Sequence, residues 1–159
     1  KAHCRQRYHI SKKERVERMK KVAVIYWSGT GNTQAMARFV ADGAKEAGAQ
    51  VELLTPGECD AALLDSMDAI AFGCPAMGAE VLEESEFEPL FAACEPRLAG
   101  KRIALFGSYG WGDGEWMRNW EARCTDAGAQ LVCDGIICAD APDQATQARC
   151  REAGNTLAS

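Results

Sequence analysis

Val22-Ala23-Val24-Ile25-Tyr26-Trp27 runs directly into Ser28-Gly29-Thr30-Gly31-Asn32-Thr33, an apolar, β-branched stretch breaking into a short polar loop. The first half has the composition of a buried strand. Beyond the loop, residues 34–47 place Met36, Phe39, Val40 and Ala44 on one face at helical spacing. Strand, loop and helix in this order present free backbone N–H groups and a positive dipole end to an anion. Gly29 and Gly31 allow close approach of the backbone. Ser28, Thr30, Asn32 and Thr33 add side-chain donors.

The loop holds no Lys or Arg and does not end in Gly-Lys-Ser/Thr, which excludes the lysine-bearing loop that cradles nucleoside triphosphates. It half-matches a dinucleotide fingerprint through Gly29 and Gly31, but Gln34 stands where the third glycine belongs. Four hydrogen-bonding side chains suit a terminal phosphate monoester, whose three oxygens each need several donors. A capped turn without a ligand is the alternative for this loop taken alone.

Two further stretches follow strand-like runs: Gly73-Cys74-Pro75-Ala76-Met77-Gly78-Ala79-Glu80, and Phe106-Gly107-Ser108-Tyr109-Gly110-Trp111-Gly112-Asp113-Gly114-Glu115-Trp116-Met117. With the 28–33 loop they resemble, in order, three motifs of the flavodoxins, in particular the short-chain flavodoxins of anaerobic bacteria. The resemblance runs from Met19 to the C-terminus. It implies an α/β fold: a doubly wound, five-stranded parallel sheet of order 2-1-3-4-5 with helices on both faces. It also implies non-covalently bound FMN, and a low-potential one-electron carrier working between the semiquinone and hydroquinone.

By the same resemblance, FMN is held by Trp27, Ser28, Gly29, Thr30, Gly31, Asn32 and Thr33, by Pro75, Ala76, Met77, Gly78, Ala79 and Glu80, and by Ser108, Tyr109, Gly110, Trp111 and Gly112. Trp111, between two glycines at a strand end, is placed to stack on a planar ring, with Met77 towards the other face. Glu80 matches a glutamate that bonds the pyrimidine edge; the alternative is a solvated carboxylate in the run Glu80, Glu83, Glu84, Glu86. Gly78 sits where flavodoxins of this type turn a peptide with redox state. Ala79 replaces the family's usual Asp, which bears on the potential rather than on binding. Trp116 and Trp120, four apart on a helix, read as packing residues, and Tyr109 as shaping its loop. Cys74 reads as a packed loop residue, with no Lys, Arg or His beside it to activate a thiol near the flavin.

The chain has 159 residues, 47% of them apolar and 26% charged, enough for one domain with a sizeable core. Residues 1–18 carry seven basic and two acidic side chains; the remainder carries eleven basic and twenty-one acidic, a net −10 against −5 for the whole. The acidic body argues against nucleic acid and anionic membrane as partners and for redox proteins with basic docking faces, met by a monomer. No apolar run has the length of a membrane span. The basic leader 1–18 lacks a secretory signal and reads as a non-native or upstream extension, or as a helical arm starting at Ser11-Lys12-Lys13-Glu14; the domain is 19–159. Eight cysteines show no Cys-x-x-Cys spacing, and reduced thiols in a cytoplasm are expected.

Periodicity predicts strands over 22–27, 50–54, 68–74, 102–106 and 131–138. It predicts helices over 34–47, 86–98, 115–127 and 144–157, with a helical turn or two over 60–67. The segment 107–114 is read as a glycine-rich loop. An acidic, aromatic-lined site lowers the potential for adding an electron that leaves a negative charge. About 59 mV corresponds to roughly 1.4 kcal/mol for one electron, so a few charges suffice. The rival reading is an FMN-dependent reductase of a quinone or small molecule, which needs a substrate pocket over the ring. A phosphatase of similar topology lacks its Cys and Arg six residues apart, and a phosphate-accepting receiver domain lacks its acidic cluster.

Overall fold

The computed structural model describes residues 11–14 and 19–159. Residues 12–14 are helical, and the start expected at Ser11 is present as a reciprocal cap: Ser11 N–H donates to Glu14 Oε2 (3.0 Å) and Glu14 N–H to Ser11 Oγ (3.1 Å). The rest of the leader reading lies outside the described residues.

The strands are β1 (Lys21–Tyr26), β2 (Gln50–Leu54), β3 (Ala69–Gly73), β4 (Arg102–Tyr109), β5 (Gln130–Leu131) and β6 (Ile136–Ala139), all parallel where paired. The order is β2-β1-β3-β4-β5, with β6 also on β4. The helices are α1 (Asn32–Glu46), α2 (Phe87–Cys94), α3 (Glu115–Asp126) and α4 (Gln144–Leu157). The turn expected over 60–67 is a 3-10 helix over Ala61–Ser66, capped by Asp60.

Alternation along the central strands separates two cores. Ala23, Ile25, Ile70, Phe72, Ile103 and Leu105 face α2 and α3; Val22, Val24, Ala69, Ala71, Ala104 and Phe106 face α1 and α4. Burial on both faces is what continuous apolar strands demand. On the second face, α1 and α4 meet at two glycines: a Cβ on Gly43 would lie 2.0 Å from the Arg151 carbonyl oxygen, and one on Gly154 2.1 Å from that of Val40.

Two expectations need correction. The fifth strand is not continuous over 131–138. From Leu131, opposite Ile103, to Ile136, opposite Phe106, the edge takes five residue steps against three on β4, so 132–135 bulges out. Gly135 fits there because a Cβ would lie 2.5 Å from Met117 Sδ. The fourth strand does not stop at Phe106. Gly107, Ser108 and Tyr109 stay in the sheet because β6 pairs with all three, overriding their loop-like composition.

Candidate functional site

The strand order reverses between β1 and β3, so the loops after their carboxyl ends leave on opposite sides and open a crevice. The three loops remain tied at their roots: Trp27 N–H donates to the Gly73 carbonyl (3.0 Å) and Ala76 N–H to the Ser108 carbonyl (3.1 Å). Between them lies a mainly apolar cleft of about 390 Å³. Trp27, Gly29, Thr30, Asn32, Pro75, Ala76, Met77, Ser108, Tyr109, Gly110 and Trp111, all expected from the sequence, line it. Ser28, Gly31, Thr33, Gly78, Ala79, Glu80 and Gly112, expected with them, are not among the residues that line it.

At one end of the cleft the 28–33 loop forms the start of α1. Ser28 Oγ accepts from the N–H groups of Gly31 (3.1 Å) and Gln34 (3.2 Å), and Gly31 takes the positive φ of 97° that closes the turn. The N–H groups of Gly29, Thr30, Asn32 and Thr33 have no protein acceptor among the described residues. Thr33 is turned inward, 1% exposed, with Oγ1 3.1 Å from Ser108 Oγ and accepting from Ser108 N–H. The hydroxyls of Thr33 and Ser108 therefore join α1 to β4 across the cleft floor.

The other end is aromatic. Trp111 is 61% exposed, which excludes packing on the adjacent helix as its role. Its indole N–H donates to the Gly78 carbonyl (3.3 Å), and Gly78 has a φ of 50°. Tyr109, at the end of β4, packs at a tilt on Trp116 (5.6 Å between ring centres). Trp116 and Trp120 are both core, Trp116 donating to the Cys74 carbonyl (3.1 Å). Arg118 clasps Asp113 and so holds the loop that carries Trp111. Trp111→Ala is expected to weaken binding of a flat aromatic ligand about two- to tenfold, the share of one stacked ring. Trp111→Phe should restore most of it while freeing the Gly78 carbonyl. Equal affinities for wild type and the Ala variant in a flavin titration would remove Trp111 from the site.

The acidic run separates into distinct roles. Glu80, at a φ of 53° in the turn closed by Met77 and Val81, accepts from Asp113 N–H through Oε1 (2.8 Å), so it ties two cleft loops rather than lining the cleft. Gly112 makes room for it: a Cβ there would fall 1.4 Å from that oxygen. Glu86 Oε2 accepts from the Trp27 indole (2.8 Å), while Glu84 is exposed. Glu83 is buried, and burial opposes its charge. Hydrogen bonds from the Ser85 hydroxyl and the N–H groups of Phe87, Glu86 and Ser85 outweigh burial and hold its carboxyl below the usual range. This depressed value stabilises the fold above the ordinary carboxylate range, and the gain is lost as pH falls through the folded value. Glu83→Gln should therefore cost about 2 kcal/mol at neutral pH, the worth of a hydrogen bond to a charged acceptor. The gap to wild type should close on acidification below about pH 4. A gap independent of pH would refute the assignment.

Burial pushes the Cys74 thiol up to about 12, with the charges of Glu83 and Glu88 adding to it and a hydrogen bond from Glu83 N–H opposing it. It stays protonated and packed, as expected. All seven described cysteines are free thiols.

Asp140 also lines the cleft and was not expected there. It follows β6, its N–H bonds the Tyr109 carbonyl (2.9 Å), and its φ of 59° is one of two positive values at non-glycine residues among the described residues. The other belongs to Glu80; such strain gathers at functional sites. The signal available in the sequence was its place just beyond a strand's carboxyl end.

A donor-rich, uncharged loop at a helix start and an aromatic cleft at a topological switch define a mononucleotide-binding α/β protein with a place for a phosphate and a planar ring. The donor set fits FMN, since four unpaired N–H groups with the Thr30 and Asn32 side chains can meet a phosphate without a cation. The family model for flavodoxin matches residues 24–154. The chain is 46% identical to the flavodoxin of Megasphaera elsdenii over 137 residues, covering 86% of this chain and 98% of that protein. It is 45% identical to that of Clostridium beijerinckii over 135 residues, covering 85% and 97%. The solution structure of two-electron reduced Megasphaera elsdenii flavodoxin superposes with a TM-score of 0.77 at 45% identity, covering 86% of this chain and 98% of that one. The chain belongs to the flavodoxin family, FMN-binding electron carriers rather than enzymes.

Proposed function

We propose that the chain works as a low-potential carrier with FMN held non-covalently in the cleft of Trp27, Met77, Tyr109 and Trp111. FMN supplies the exchange of single electrons. Thr30, Asn32 and the N–H groups of residues 29, 30, 32 and 33 would hold its phosphate; Trp111 and Met77 would bound its ring. The carrying observation is that the three loops build one cleft with donors at one end and aromatic rings at the other. Glu84, Glu115 and Asp140 are exposed on the loops and helix start around it and would meet a redox partner with a basic face. No helix among the described residues is long and apolar enough to cross a membrane. Free thiols fit a monomer working in a reducing cytoplasm.

The full chain should quench added FMN fluorescence at one equivalent, and the loaded protein should not oxidise NAD(P)H by itself. Turnover of NAD(P)H with a quinone would favour the reductase reading. Gly78 offers a finer test. A Cβ there would meet nothing within 4 Å, so the cost of Gly78→Val is torsional, about 1–2 kcal/mol for positive φ. FMN should stay bound while the two one-electron potentials draw together. Unchanged potentials in a reductive titration would leave Gly78 as a turn residue only.

A further inference from the structure

Among the residues that line the cleft, Asp140 alone carries a charge at neutral pH. Its backbone is held on both sides: its N–H donates to the Tyr109 carbonyl (2.9 Å), and its own carbonyl accepts from the Cys138 thiol (3.5 Å). Its carboxylate, by contrast, has no hydrogen bond or ion pair among the described residues. Other carboxylates of the cleft loops are engaged: Glu80 on the Asp113 N–H, Glu86 on the Trp27 indole, and Asp113 on Arg118.

The turn does not account for this charge. Its φ of 59° is the left-handed region, which Asn and Gly take as readily as Asp without bringing a charge. Ligand binding does not account for it either. A carboxylate shares its sign with a phosphate ester, and no Lys or Arg of the lining offsets it. The charge is nevertheless felt across a cleft of about 390 Å³, because screening at physiological salt acts over about 8 Å. A planar ligand that fills the cleft also displaces water, which strengthens the interaction. Such a charge can discriminate between charge states of one ligand.

We propose that Asp140 sets the potential for the second electron, its unpaired carboxylate opposing the bound flavin only once the ring is negative. This rests on the FMN reading given above. A flavin ring is neutral when oxidised, and neutral again after one electron and one proton. The second electron, taken at neutral pH without a proton, leaves it negative. Asp140 therefore disfavours the doubly reduced form, lowering the second potential and leaving the first in place.

The test is a reductive titration of the FMN-loaded full chain, wild type against Asp140→Asn and Asp140→Gly. Both replacements suit the left-handed turn and remove the charge. In each, binding of the doubly reduced form should tighten severalfold, raising the second potential by about 59 mV for every tenfold, while the first does not move. An unmoved second potential overturns the proposal. So does a joint movement of both potentials, which a general change in the site would give. A shift in the Asn variant without one in the Gly variant also overturns it, since that marks a side-chain hydrogen bond instead of a charge. A wild-type chain that fails to quench FMN fluorescence ends the FMN reading and this proposal with it, whereas quenching with an unmoved second potential ends this proposal alone.

Discussion

Thr30→Ala is expected to lower the affinity for FMN roughly ten- to hundredfold with the thermal midpoint unchanged, since a hydrogen bond to a charged group is worth about 1.5–3 kcal/mol. Thr30 is exposed at the cleft mouth and its side chain has no protein partner among the described residues. Thr33→Ala should behave differently. Its hydroxyl is paired with Ser108 in the interior, so affinity and stability fall together. Riboflavin, lacking the phosphate, should bind about a thousandfold or more weaker than FMN, the loss of at least three such bonds. Isothermal titration of both ligands checks this. Equal constants for FMN and riboflavin would end the assignment of 28–33 as the phosphate loop.

Gly107→Ala should be the most damaging small substitution near the cleft. A Cβ at 107 would stand 2.1 Å from the Cys74 carbonyl oxygen and 3.3 Å from the Trp116 ring. The first of these is backbone and cannot swing away. The same carbonyl accepts the Trp116 indole, and Ala76 N–H reaches across to Ser108, so relief requires parting β4 from the loop after β3. The expected loss is about 3 kcal/mol or more, or roughly 6–12 °C in the thermal midpoint for a chain of this size. Gly57→Ala is the control, because a Cβ there meets nothing within 4 Å. Equal melting of the two variants by circular dichroism would contradict this packing.

The element order was legible because its determinants are local. Val22 to Ile25 are fully buried as their unbroken apolar run requires, and α4 spans the 144–157 expected from its periodicity. Eleven cleft-lining residues were legible from three motifs. Asp140 was not, since its own segment, Ala139-Asp140-Ala141-Pro142, offers only a place beyond a strand's carboxyl end; the pairing of β6 with β4 carries it to the cleft. The two-piece edge strand escaped for a similar reason, because Gly135 at its break packs against Met117 of a different element.

By itself, then, the sequence determined the strand–loop–helix start at Val22, the alternation that makes the sheet parallel, and the three loops at strand ends, because hydrogen-bond periodicity, capping and glycine freedom act over a few residues. The roles of like residues were decided by the tertiary structure. Four glutamates of one run became a tie between loops, a buried cap, a partner for Trp27 and a solvated charge; Thr30 and Thr33, three apart, became a free donor and an interior strut. These differences rest on contacts as far apart as Thr33 and Ser108, 75 residues along the chain.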